Sequence, residues 1–132
     1  MNVVDSCGWL EFFGAGHNAE FFASPLSDAA SLIVPVITVY EVFKRVLRDR
    51  GEGPALEALA LMQQGEIVEL TSASAISAAR LSIEASLPMA DASILSAARE
   101  RGATFWTQDA HFEGMTSVKY VSARSLPTRA ST

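Results

Sequence analysis

The chain has a single cysteine, Cys7, among its 132 residues. That excludes an intrachain disulfide and a cysteine-rich zinc site. Histidine is almost as scarce: His17 and His111 have no HxxxH or HxH partner spacing, which argues against zinc. Long apolar runs are missing too, and none approaches the roughly 20 residues a membrane span needs. The first residues carry an acid, Asp5, in place of the basic start of a signal peptide, so a cytosolic protein is expected. Positive charge is in the minority, with 10 Lys and Arg against 15 Asp and Glu and a net charge of −5. Alone, that balance weighs against a general nucleic-acid binder, whose footprint is usually basic. It leaves room for an enzyme with a local basic patch and a cluster of carboxylates. No GxGxxG or P-loop is present, which argues against a dinucleotide or NTP enzyme. No GxSxG elbow is present either, and Ser6 lacks the His/Asp arrangement of a hydrolase nucleophile.

What remains is apolar-rich: 49% hydrophobic and 19% charged, enough for a real core and too apolar for disorder. Asn2-Val3-Val4 reads as a buried strand ending at Asp5. Cys7 to Phe13 suits a short helix closed by Gly14 and Gly16, and Ala19–Ala23 another helical turn before a Ser24-Pro25 break. Leu32 to Val36 is a second strand, with Pro35 best placed at an edge or strand end. Thr38 and Glu41 have capping-box spacing before a helix with Val39, Val42, Phe43, Val46 and Leu47 on its apolar side, stopping at Gly51. Pro54 opens a further helix that Gly65 ends. Ile67–Leu70 is a third strand, and Thr71 or Ser72 caps a helix reaching about Ala85. Thr104–Trp106 and Val118–Val121 complete five strands, and a polar, frayed tail is expected from Ser125 to Thr132. Strands alternating with helices predict an α/β fold, one domain over residues 1–132, with a mostly parallel sheet covered on both faces.

Leu87 to Phe112, LPMADASILSAARERGATFWTQDAHF, is the most informative stretch. On a wheel of about 100° per residue, Asp91 falls on the apolar side with Ile94, Leu95 and Ala98. A carboxylate aimed inward needs a cation, a metal or good hydrogen-bond donors. In open parallel sheets, sites lie beyond the carboxyl ends of the strands. Asp5 follows the first strand, Glu41 the second, Asp109 the fourth, and Asp91 opens the helix that leads into the fourth. Singly, Asp5 reads as a helix cap, Glu41 as a solvated capping-box partner and Asp109 as a turn former. Together the four predict one shared site. Ionised carboxylates so placed raise each other's pKa values unless a cation neutralises them, and Mg²⁺ with oxygen ligands is the natural answer. Ser6 and Thr107 stand beside these acids, either to orient carboxylates or as local cap and turn chemistry.

Lys44, Arg45 and Arg48 follow Glu41 on its helix. They read first as a solvated face with a Glu41–Arg45 pair, and second as an edge that guides phosphates. Trp9, Phe12 and Phe13 read as core or interface packing.

The chain resembles the PIN-domain ribonucleases and, in size, the VapC-type toxins of toxin–antitoxin pairs. VVDSCGWLEFF, VPVITVYEVFKRVLRDRG, LPMADASILSAARERGATFWTQDAHF and the final KYV strand carry the resemblance. It implies a PIN-like α/β/α sandwich with a five-stranded sheet and Mg²⁺- or Mn²⁺-dependent endoribonuclease activity. By similarity, Asp5, Glu41, Asp91 and Asp109 would be catalytic, with Asp5, Asp91 and Asp109 as metal ligands and Thr107 as the site hydroxyl. The family pattern also implies an RNA substrate such as tRNA or rRNA, a small antitoxin whose C-terminal segment fills the site, and a homodimer. Two departures stand out. Ser6-Cys7 occupies positions where many members have Thr or Asn, and Ala110-His111 follows Asp109 where some carry a further acid.

The rival reading is a catalytically silent PIN-like module that binds RNA or protein, although a binder has little need for an inward Asp91. A phosphatase of the haloacid-dehalogenase type would need a second Asp at position 7, where this chain has Cys7.

Overall fold

A computed structural model describes residues 1–123; the tail expected from Ser125 lies outside the described residues. Within these residues five strands form one sheet, all parallel: β1 (Asn2–Val4), β2 (Leu32–Pro35), β3 (Glu66–Val68), β4 (Thr104–Thr107) and β5 (Val118–Tyr120). Among the described residues, six α-helices accompany them: α1 (Ser6–Phe13), α2 (Ala19–Leu26), α3 (Val36–Arg50), α4 (Glu52–Met62), α5 (Ser72–Ala85) and α6 (Met89–Glu100). The strand order is β3-β2-β1-β4-β5. The chain winds outward from β1 in one direction and then from β4 in the other. The switch between those two neighbours opens a crevice at their carboxyl ends.

Alternation along the central strands builds two cores. Val3, Ile33 and Phe105 lie in register and face one layer, where Ile94, Leu95 and Ala98 of α6 bury against them. Val4, Val34 and Trp106 face the other, with Trp9, Phe22, Val42, Val46 and Met62. Gly8 makes the second layer possible, since a Cβ there would sit 2.6 Å from the Phe22 ring and 2.7 Å from Val4. The result is an α/β/α sandwich, as the alternation of elements predicts. Among the described residues, no helix is long and apolar enough to cross a membrane.

Several boundaries differ from the sequence reading. Thr38 does not cap α3. Pro35 ends β2 in an extended conformation (φ −61°, ψ 141°), and the helix starts at once with Val36. Thr38 is therefore buried inside the first turns, and its hydroxyl has no hydrogen-bond partner among the described residues. Pro25 does not break α2 but sits one residue before its end, where a missing N–H removes little. β3 covers Glu66–Val68 rather than Ile67–Leu70 because its partner β2 ends at Pro35, which pairs with Val68. The cap of α5 is Thr71, whose hydroxyl accepts from Ser74 N at 3.1 Å while Ser74 Oγ accepts from Thr71 N at 2.7 Å.

Candidate active site

Asp5 leaves the end of β1 at the switch point, and Thr107 ends β4 beside it. The Asp5 side chain is only 4% exposed. Its Oδ1 accepts from Ser6 N at 2.8 Å; its Oδ2 accepts from Thr107 Oγ1 at 2.8 Å and from the Cys7 thiol at 3.4 Å. Burial nevertheless raises its pKa to about 6, with the Asp91 charge pushing the same way against these donors. Burial, then the Asp5 charge, pushes the Cys7 thiol up to about 12, so Cys7 serves as a neutral donor and not as a nucleophile.

Thr107 joins two of the acids. Its hydroxyl donates to Asp5 and accepts from Asp109 N at 2.9 Å, so the end of β4 sets where Asp109 begins. Beyond it, Asp109 caps a short 3₁₀ turn, Ala110–Phe112, accepting at Oδ1 from His111 N at 2.9 Å. Buried Phe112 pins that turn, its ring 4.9 Å from Phe105. Buried Asn18 braces the preceding residue by donating to Gln108 Oε1 and to Ser122 O, both at 2.9 Å.

Glu41 comes from α3. It is half-buried, and Ser6 Oγ donates to its Oε1 at 2.5 Å. This replaces the expected Glu41–Arg45 pair: Arg45 binds Asp49 at 2.8 Å, and Arg48 reaches the same carboxylate at 3.1 Å. Lys44, Arg45 and Arg48 still line a groove of about 360 Å³ with Ser6, Cys7 and Glu41, so the basic edge adjoins Glu41.

Asp91 sits in the first turn of α6, half-buried, while Ala92, Ile94, Leu95 and Ala98 fix the helix to the sheet. Its carboxylate accepts no hydrogen bond from any described residue. Burial raises its pKa first, then Asp109 and Glu41, with His111 opposing. Asp91 thus feels the charges of Asp109 and Glu41, and Asp5 feels that of Asp91, and among the described residues no Lys or Arg pairs with any of the four. The sequence reading set His111 aside for want of histidine spacing. The structure puts it against Asp109, with a ligand atom within 4.8 Å of those of Asp91 and Asp109. Its place two residues after Asp109 was the available signal.

Residues 3–116 match the family model of the PIN domain. The chain belongs to the PIN-domain family. This PIN domain is similar to the toxin–antitoxin complex from Klebsiella pneumoniae at 18% identity, with a TM-score of 0.77 over 90% of this chain and 96% of that one. It is also similar to VapC20 of Mycobacterium tuberculosis, a sarcin–ricin loop cleaving toxin, at 17% identity and TM-score 0.71 over 85% and 92%. A third likeness is to VapBC2 from Rickettsia felis bound to a DNA fragment from its promoter, at 13% identity and TM-score 0.70 over 92% and 97%. At these identities the likenesses establish the fold. No curated protein matches the chain.

The donor set of this PIN domain fits a divalent cation. Half-buried Asp91 and Asp109 bring carboxylate oxygens within 4.8 Å of each other, no Lys or Arg among the described residues pairs with them, and the His111 imidazole stands beside them.

Proposed function

We propose that this protein is a divalent-cation-dependent endoribonuclease and the toxin of a toxin–antitoxin pair. The observation that carries the reading is Asp91: a half-buried carboxylate with no hydrogen-bond donor among the described residues, facing Asp109 and Glu41. A purely structural acid at that position would be matched with donors or a basic side chain. The similarity to a sarcin–ricin loop cleaving toxin supports RNA as the substrate class.

Asp5, Asp91 and Asp109 would hold Mg²⁺ or Mn²⁺, with Glu41 completing the set. The ion would supply polarisation of the scissile phosphate and a lowered pKa for the attacking water. Thr107 and Ser6 N hold Asp5 at a fixed angle, so its oxygens need no reorientation. The Ser6 hydroxyl does the same for Glu41. Lys44, with Arg45 and Arg48, offers positive charge along the groove that leads to the acids, where a phosphate backbone would otherwise meet a net charge of −5. Asp49 tethers both arginines, whereas Lys44 rests against Tyr40 with no carboxylate partner among the described residues, so its charge is the one left for a phosphate.

Two protein partners belong to the same proposal. A small antitoxin would occupy the groove and shield the acids, in line with the toxin–antitoxin complexes among the relatives. A second copy of the chain would cover exposed apolar residues such as Ile76 and Ile83 of α5.

The test is cleavage of purified tRNA and rRNA with Mg²⁺ or Mn²⁺, against EDTA. Ion-dependent fragments of discrete length are expected. Cleavage that persists in EDTA would overturn the mechanism, and intact RNA with retained binding would favour the silent module.

A further inference from the structure

The turn after β4 carries more than one acid. Asp109 Oδ1 takes two contacts from His111, one from its backbone N at 2.9 Å and one from Nδ1 at 2.8 Å. Asp109 Oδ2 accepts from no described residue, and neither does Asp91 across from it. One ligand atom from each of Asp91, Asp109 and His111 lies within 4.8 Å of the other two. Asp5 and Glu41 stand outside this group, with oxygens already engaged by Thr107, Cys7 and Ser6. The His111 side chain is 66% exposed, so core packing does not account for its position. What fixes it is the turn, pinned by Phe112 beneath it.

We propose that His111 is a nitrogen ligand of the bound cation, and that it makes this centre prefer Mn²⁺ and related transition ions over Mg²⁺. The inference rests on the reading that the acids hold a divalent cation. Magnesium demands oxygen ligands and near-ideal octahedral geometry, whereas imidazole nitrogen suits the transition series. A carboxylate at position 111 would give a site of oxygens only. The imidazole puts a nitrogen donor where a carboxylate would add a negative charge, which also eases the crowding of acids around Asp91 and Asp109.

Pulsed electron paramagnetic resonance on EDTA-stripped protein reloaded with one equivalent of Mn²⁺ tests this without any activity. The parent should show nitrogen coupling to the manganese, and His111→Ala and His111→Gln should not. The chain has only two histidines, so the variants separate His111 from His17. By calorimetry, the variants should lose about tenfold or more in Mn²⁺ affinity. Mg²⁺ affinity should change by less than about threefold, because nitrogen contributes little to a hard ion. Mn²⁺ bound without nitrogen coupling, or coupling that survives His111→Ala, overturns the role of His111 and leaves the carboxylate centre standing. A parent that binds no Mn²⁺ overturns both.

Discussion

Replacing Asp5 by Asn removes a charge from a buried position without changing its shape. In the folded protein the Asp5 carboxyl has a pKa of about 6, against an ordinary 3.8. The folded state therefore holds that proton more tightly than the unfolded chain. The stability this confers is complete below about pH 4, falls as the pH rises towards about 6, and is gone above it. The gap corresponds to about 3 kcal/mol, the cost of ionising a carboxyl this deeply buried beside Asp91. An amide avoids that cost. Its oxygen still accepts from Ser6 N, and its nitrogen can donate to the second lone pair of Thr107 Oγ1. The thiol of Cys7 loses its acceptor, which subtracts about 1 kcal/mol. Relative to the parent, metal-free Asp5→Asn should thus gain about 3 kcal/mol between acid and neutral pH, and it should end about 2 kcal/mol more stable at neutral pH. Urea unfolding followed by circular dichroism, in EDTA at a series of pH values, measures the difference directly. A difference that stays flat with pH, or that moves in favour of the parent as pH rises, would refute the reasoning.

Three further outcomes follow from the same geometry. Thr38→Val should raise stability by about 1 kcal/mol, since it removes a buried hydroxyl that lacks a partner and keeps the shape; thermal unfolding reads it. Thr107→Val should cut RNA cleavage by about 10- to 100-fold in kcat with little change in KM, because it releases both Asp5 and Asp109 N while leaving the substrate groove intact. Mg²⁺ or Mn²⁺ at about 100 times its dissociation constant should stabilise the parent by about 2.7 kcal/mol, and Asp91→Asn should lose most of that gain in a thermal scan.

Much of the sheet was legible because central parallel strands read as short apolar runs, and Val3-Val4, Ile33-Val34 and Phe105-Trp106 are such runs. The site was legible where periodicity and topology agreed: Asp91 broke the apolar stripe of α6, and Asp5 and Asp109 followed strands. The start of α3 was misread because Thr38 and Glu41 mimic a capping box, while Pro35 had already turned strand into helix. That shift also hid the partner of Glu41, a serine 35 residues away in sequence. His111 escaped because its significance comes from a three-residue turn and the packing of Phe112 on Phe105, and neither is written in the spacing of histidines. Likewise, nothing local in the sequence predicts that Arg45 and Arg48 converge on Asp49 instead of Glu41.

The central claim is that the acids at the β1–β4 switch form one cation-holding centre that cleaves RNA. The most direct test compares the cleavage rate of the parent with Asp91→Asn and with Glu84→Gln, an equal loss of charge at an exposed position on α5. At saturating Mg²⁺ or Mn²⁺, the account predicts a loss of at least about 100-fold for Asp91→Asn and none for Glu84→Gln. Cleavage by Asp91→Asn at the parental rate would contradict it.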